Sequence, residues 1–411
     1  MKLLNALLHR LIRTGTLEVI DADGHVHRHA GTETPFVRVR LHDRALYTSL
    51  VWDPDLKAGE AYMDGTLTIE QGTLRDFLTL FAVNRGVSRK PAVTKPLRRL
   101  AKRLKGLFQR NTVTQSRSNV AHHYDLSNEL YGLFLDSRMN YSCAYFRSPS
   151  DTLAEAQRNK LRHIAAKLDL RPGHRVLDIG CGWGGMAIYL AQNFDVHVTG
   201  ITLSVEQLRW ARQRAEELGL SHKIRFELTD YRVVEGTFDR ITSVGMFEHV
   251  GIPYFRSYFA KINSLLERDG VALVHAIGRK GGPGTTGKWL RKYIFPGGYS
   301  PALSETFAAI EASGLWVTDT EIWRLHYAET LRAWEARFQE NRDKAAALLG
   351  ERFCRMWEFY LISSELSFRY FKHMVFQIQL ARSVDTLPLQ RDYMHEAENA
   401  LLQKDVGAHA V

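Results

Sequence analysis

The apolar positions change their period along the chain, and those changes outline its elements. Leu3, Leu4, Leu7, Leu8 and Leu11 recur at helical spacing with Lys2, Arg10 and Arg13 off the stripe, which predicts a short amphipathic helix. The run TLEVIDADGHVHRHAG, followed by PFVRVRLHD, reads as two strands, with Asp23-Gly24 as a possible hairpin turn. Farther on, GEAYMDGTLTIEQGTLRDFLTLF becomes helical by periodicity in its second half. Residues 1–84 therefore predict a small mixed α/β domain.

Between 85 and 116 Gly86, Pro91 and Pro96 interrupt regular structure, which makes this stretch a linker. Inside it, PLRRLAKRLKGLF places Leu97, Leu100, Leu104, Leu107 and Phe108 on one helical face, with Arg98, Arg99, Lys102, Arg103 and Lys105 around the rest. That combination suits a helix lying on an anionic membrane surface. The same stripe equally serves a helix that packs its leucines on the protein and solvates its charges.

From about 117 onward helix and strand alternate. NKLRHIAAKLDL, SVEQLRWARQRAEELGL and YFRSYFAKINSLLERD are helical, while HRVLDIG, DVHVTGI, KIRFELTD, FDRITSVGM and GVALVHAIG read as strands. Such alternation predicts a parallel sheet covered by helices on both faces. At 411 residues, two domains are the expectation for the whole chain.

Charge sharpens this division. The formal net charge is +10, and the stretch from Phe77 to Tyr124 holds eleven Lys or Arg residues and no Asp or Glu. The basicity is thus local. An apolar fraction of 45% with 24% charged residues is ordinary globular composition. No apolar run approaches the ~20 residues that span a bilayer. The opening MKLLNALLHRLIR is too short and too interrupted by charge for a signal peptide, so the expected compartment is the cytoplasm. Cys143, Cys181 and Cys354 are odd in number and widely spaced, which argues against disulfides and a cysteine-rich zinc site.

The strongest local signal is VLDIGCGWGG, an apolar strand running into a glycine turn and then the helical MAIYLAQ. Gly180, Gly182 and Gly185 match G-x-G-x-x-G, so a dinucleotide site must be weighed. That site wants an acid at the end of the second strand, about 20 residues on, and VTGITL has none. The acid instead precedes the glycines, at Asp178, and another follows the third strand, at Asp230. This is the arrangement of S-adenosylmethionine (SAM) methyltransferases. A nucleic-acid substrate is disfavoured despite the basic linker, because the chain has neither an N-P-P-Y type motif nor a Pro-Cys pair.

The candidate chemistry centres on YSCAYF, where Cys143 stands among aromatic residues and, taken alone, fits a nucleophile, a metal ligand or a core thiol. In order along the chain, HYDLSNELYGLFLD, YSCAYF, VLDIGCGWGG, ITLSVEQ, SVGMFEHVG, LVHAIG and YIFPGG resemble the cyclopropane-fatty-acyl-phospholipid synthase family over roughly 120 to 380. GEAYMDG resembles the longer, phospholipid-acting branch of that family. The resemblance implies a Rossmann-like SAM-dependent catalytic domain over 117–411, with a mostly parallel seven-stranded sheet. Before it would stand the N-terminal domain (1–84), making lipid, membrane or dimer contacts, and the basic linker (85–116). It also implies an enzyme peripherally associated with the inner face of the membrane, whose substrate is membrane phospholipid with unsaturated acyl chains, and a homodimer.

The chemistry so implied is methyl transfer from SAM to a cis alkene. The alkene has no acidic proton, so the enzyme's task is to align it with the methyl in a dry site. Aromatic faces can stabilise the resulting carbocation, with Tyr124, Tyr141, Tyr145 and Phe146 as candidate walls. By resemblance a bound bicarbonate removes the proton for ring closure, caged by Cys143, Glu248, His275, the backbone at Ile277, and Tyr327. For SAM the resemblance carries over Tyr141 and Ser142, Asp178, Gly180 and Gly182, Thr202 and Gln207, and Asp230 with Tyr231. Apart from the resemblance, Glu248 and His249 also fit a capping pair, and His275 and Tyr327 fit satisfied core residues. Several relatives carry a cysteine where this chain has Ser364, so a covalent role there is excluded; Cys354 reads as packing.

Overall fold

The computed structural model describes residues 1–32, 34–84 and 127–407. The basic linker with its leucine stripe, and Tyr124, lie outside the described residues. The chain divides into two compact units.

In the first unit, residues 1–84 pack with 286–296 and 331–372. Two later stretches thus join the N-terminal residues in one unit. Four strands, β1 (Thr16–Ile20), β2 (Val26–Ala30), β3 (Phe36–Leu41) and β4 (Leu67–Gln71), form a sheet in the order β2-β1-β3-β4. Asp23-Gly24 does turn β1 into β2, and Gly24 has φ +88°, a conformation glycine adopts without steric cost. Of the first helix, Lys2–Leu11, only Leu4 and Leu8 are buried, whereas Leu3 and Leu7 are exposed, so half of the leucine stripe faces out.

The later stretches belong here because residues near the start of the chain find their partners in them. Tyr62 donates to Glu358 at 2.8 Å, and Arg75 pairs with Glu365 and, at 3.1 Å, with Glu335. Trp289 donates to the Met63 sulfur at 3.3 Å. Polar groups this far from water need such partners, and nothing in the first 84 residues advertises where they lie.

The second unit holds a seven-stranded sheet. Its members are β5 (Arg175–Ile179), β6 (His197–Thr202), β7 (Ile224–Leu228), β8 (Phe238–Val244), β9 (Leu266–Arg279), β10 (Trp316–Trp323) and β11 (His373–Ala381), in the order β10-β11-β9-β8-β5-β6-β7. The five strands predicted from the alternation are β5 to β9, all mutually parallel. β11 runs antiparallel to both β9 and β10. Alternate residues of β5 fill opposite faces: Leu177 and Ile179 pack with Ile241 and Phe259, and Val176 with Leu161, Ile164 and Met186. β5 connects to β6 on one side while its other neighbour, β8, connects to β9 on the opposite side, so a crevice opens at the carboxyl ends of β5 and β8. The glycine turn follows β5 there, and Glu248 follows β8. Among the described residues no helix is long and apolar enough to cross a membrane.

Candidate active site

The glycine turn follows β5 directly. Gly180, Gly182 and Gly184 have φ of +76°, +55° and +82°, in the left-handed region closed to most side chains. Gly180 and Cys181 both donate their backbone N–H to the Ile201 carbonyl at 2.9 Å, which ties the turn to β6. A Cβ on Gly184 would lie 2.6 Å from the Phe226 ring, so this glycine is needed for packing. A Cβ on Gly182 would meet nothing within 4 Å, so there the backbone borders open space. That is a cradle in which a cofactor can approach the main chain.

Asp178, at the base of the turn, is buried, and its Oδ2 has no hydrogen-bond partner. Burial raises its pKa to about 7, with the positive charge of Lys160 pulling the other way. After β6, Thr202 donates to Gln207 Oε1 at 2.8 Å, and Ser204 caps the helix Val205–Glu217 on which Gln207 lies. After β7, Asp230 is committed to Arg232, its Oδ1 accepting from Nε at 2.8 Å and its Oδ2 from Nη2 at 2.6 Å. Tyr231 lies edge-on to Tyr258 with ring centroids 5.3 Å apart.

The segment carrying Tyr141, Ser142 and Cys143 is held by a residue that the sequence reading missed. The helix Leu153–Lys167 starts with a Thr152/Glu155 capping box. One face of it carries Gln157, which donates to the Ser142 carbonyl at 2.9 Å, and Lys160, which donates to Ser142 Oγ at 3.0 Å and Asn140 Oδ1 at 3.2 Å. Lys160 is 2% exposed and, among the described residues, has no carboxylate within ion-pair distance. Burial lowers its pKa to about 8, against the pull of Asp136, Cys143 and Asp178. A buried ammonium with no carboxylate in direct contact among the described residues is costly, and an anion placed beside it would offset that cost. The signal was in the sequence: Gln157, Lys160, Leu161 and Ile164 share one helical face, and polar residues on a core face call for explanation.

Cys143 is fully buried, and burial pushes its thiol well above the usual range, with Lys160 opposing. Burial of this kind disfavours the thiolate, which counts against the nucleophile reading. The backbone just after it is pinned to the start of the helix His326–Glu340, Ala144 N–H donating to Thr330 Oγ1 at 2.9 Å and Phe146 N–H to His326 Nδ1 at 3.1 Å. That helix also carries Tyr327, which is buried.

Beyond the end of β8, Glu248 returns to β9, its Oε1 accepting the Ile277 N–H at 2.5 Å. Its Oε2 is buried with no partner, and burial raises its pKa to about 7. His275, two residues before Ile277, is paired in register with Val244 of β8. Burial holds its pKa well below the usual histidine value, helped by the charges of Lys160 and Lys167. Glu248, His275 and Ile277 are thus brought together at one end of β8 and β9. Cys143 belongs to the neighbouring segment, where Lys160 donates to the adjacent Ser142.

The aromatic walls differ in part from the expectation. Tyr141 lies edge-on to Tyr131 (5.3 Å) and Phe134 (6.2 Å), and Tyr131 meets Trp183 of the glycine turn at 4.8 Å. The Tyr145 ring is instead stacked on His163 at 4.5 Å and on His326 at 4.8 Å. Cys354 and Ser364 lie on the helix Glu351–Tyr370 of the first unit, Cys354 fully buried.

Residues 111–378 match the family described as mycolic acid cyclopropane synthetase. The chain belongs to this family. It is similar to the cyclopropane-fatty-acyl-phospholipid synthase of Escherichia coli strain K12, at 36% identity over 350 residues, 84% of this chain and 88% of the relative. It is 44% identical over 257 residues to a probable fatty acid methyltransferase of Pseudomonas putida, covering 61% of this chain and 65% of that one, just under two thirds of its length. Among solved structures, the mycolic acid cyclopropane synthase CmaA1 complexed with SAH and CTAB superposes with a TM-score of 0.61 at 34% identity, covering 64% of this chain and 97% of that one. The family identity and the fold agree: this synthetase homologue is a SAM-dependent lipid methyltransferase.

Proposed function

We propose that this family member transfers a methylene group from SAM to the cis double bond of unsaturated phospholipid acyl chains, giving cyclopropane fatty acyl chains. The observation that carries the reading is Glu248: a buried carboxylate with one oxygen held by the Ile277 N–H and the other without a partner. Such an oxygen calls for a ligand that brings its own donor, and the hydroxyl of bicarbonate is one.

SAM supplies the methyl when bound. Gly180 and Gly182 would let it approach the backbone, Thr202 and Gln207 would meet its ribose, and Tyr231 would border its adenine. Asp230 accepts from Arg232, which holds that turn, and would border the adenine beside Tyr231. Ser142 and Lys160 would receive the methionine carboxylate. Asp178 Oδ2 is an acceptor for the methionine ammonium. Bicarbonate, when bound, supplies the base; the Cys143 thiol, His275 and Tyr327 would donate to it, and Glu248 would accept its hydroxyl. The Ile277 N–H holds the Glu248 carboxylate in place. Tyr141 and its neighbours Tyr131, Phe134 and Trp183 form an aromatic wall suited to a developing cation.

A phospholipid substrate is supported by the length of the E. coli match, which is greater than the stretch 111–378 and so takes in part of the leading domain. The basic linker, with its leucine stripe, would meet the anionic inner face of the membrane. The second reading is a related SAM-dependent methyltransferase that leaves a methyl- or methylene-branched lipid, or acts on a sphingolipid or small amine; the P. putida relative is named only as a probable fatty acid methyltransferase, which leaves the product open.

The product decides between them. The protein, SAM and vesicles of a cis-monounsaturated phospholipid should give acyl chains heavier by one CH₂. Proton NMR of that product should show upfield cyclopropane protons and no olefinic signal, whereas retained olefinic protons indicate a methylene branch. In carbonate-free buffer turnover should fall, and added bicarbonate should restore it. Unchanged turnover there would remove the bicarbonate cage from the mechanism.

A further inference from the structure

The register of the antiparallel strands lines up three polar residues across the sheet. Glu321 of β10 is opposite Gln377 of β11, which is opposite His275 of β9. Lys167, the last residue of the helix Leu153–Lys167, donates to Gln377 Oε1 at 2.8 Å and also to Glu321. Gln377 Nε2 lies 3.1 Å from His275 Nδ1. Lysine, glutamine and histidine here are all buried.

The chemistry of the donors leaves one arrangement. An ammonium only donates, so the Gln377 end that meets Lys167 must be its oxygen. The other end is then NH₂, which donates to His275 Nδ1. Nδ1 must therefore carry a lone pair, and the ring proton is on Nε2. A protonated His275 would set N–H against N–H. Lys167 is itself fixed by Glu321, whose carboxyl is held well below the usual range by His163 and Lys167 despite its burial. His163 in turn meets Glu398 at 3.0 Å, and the Trp323 ring stands edge-on to His275 at 5.0 Å, closing the surroundings.

We propose that Gln377 and Lys167 are positioning residues that lock His275 as the neutral Nε2–H tautomer, so that the nitrogen left for the site can donate but not accept. This rests on the reading above in one respect: a donor at that place suits a bound anion. The lock also bars His275 from acting as the base.

The test is ¹⁵N NMR of the full chain labelled at histidine, with His275 assigned by difference against His275→Asn. The wild type should show Nε2 protonated and Nδ1 unprotonated, unchanged from about pH 6 to about pH 9. Gln377→Glu sets an acceptor-only group against Nδ1, so Nδ1 should gain a proton, and turnover should fall about 10²-fold, the scale for losing one positioned donor. Gln377→Met, which leaves Nδ1 without a partner, should give a mixture of tautomers, and SAM affinity in both variants should remain that of the wild type. A wild-type ring protonated on Nδ1, or an unchanged Nε2–H ring in Gln377→Glu, overturns the proposal. The spectra need no lipid and no turnover, so they report on the lock whichever product the enzyme makes.

Discussion

At the scale of single residues, two buried acids and one buried base define the site's electrostatics. Glu248→Gln keeps the shape but turns an acceptor-only group into one that also donates. Turnover should drop by orders of magnitude while SAM affinity, measured by calorimetry, is retained; full activity would remove Glu248 from the mechanism. Lys160→Met removes the ammonium while keeping most of the stem, and SAM should bind about 10- to 100-fold more weakly, the scale of a lost charged hydrogen bond. The same groups set a pH dependence. Asp178 and Glu248 have native pKa values of about 7, above their ordinary values, so the native state binds more protons than the unfolded chain between about pH 4 and about pH 7. Their contribution to stability is present below that window and is lost as the pH rises through it. Denaturant titrations of the ligand-free protein should show a smaller decline over this window in Asp178→Asn with Glu248→Gln than in the wild type.

Individual elements were legible where local rules governed them. The glycine turn could be read directly, because only glycine tolerates three left-handed positions in five residues. Its glycines nonetheless have different tasks. Gly184→Ala should destabilise the fold by more than the ~1–2 kcal/mol of the left-handed backbone alone, since its Cβ would overlap Phe226. Gly182→Ala carries only that backbone cost, and its larger effect should be on SAM affinity, because its Cβ enters the open cradle. Thermal unfolding and SAM titration of the two variants should separate these losses; equal losses of both quantities would merge the roles. The helix read from NKLRHIAAKLDL was also legible, though it begins earlier, at Leu153, and ends at Lys167, and so was the β5-to-β9 alternation, since their periods are local properties. β11 was not: His373–Ala381 is a nearly continuous buried strand whose antiparallel place between β9 and β10 has no local mark.

At the scale of the whole molecule, the charge distribution is the feature that reaches farthest. The basic stretch between Phe77 and Tyr124 accounts for the whole net positive charge. Adsorption to vesicles should require anionic lipid and weaken with salt, because exposed charges are screened over ~10 Å at 0.1 M. Replacing Arg98, Arg99, Lys102 and Arg103 with Gln should weaken adsorption, read by co-sedimentation, and leave SAM affinity alone. Unchanged adsorption would assign that stretch to internal packing.

By itself the sequence determined the fold class, the cofactor class and the family. Those rest on period, glycine placement and motif order, which are properties of neighbours along the chain. It also singled out Cys143, Glu248 and His275, though by resemblance, since nothing local distinguishes a ligand-facing histidine in VALVHAIG from a core one. Tertiary structure decided the rest. It buried Lys160 against Ser142 and Asn140, set Asp230 against Arg232, and stacked the Tyr145 ring between His163 and His326. It also put Gln377 against His275 across 102 residues of chain. Partners that distant are chosen by strand register and by the need of every buried polar group for a match, and both are settled only once the chain has closed on itself.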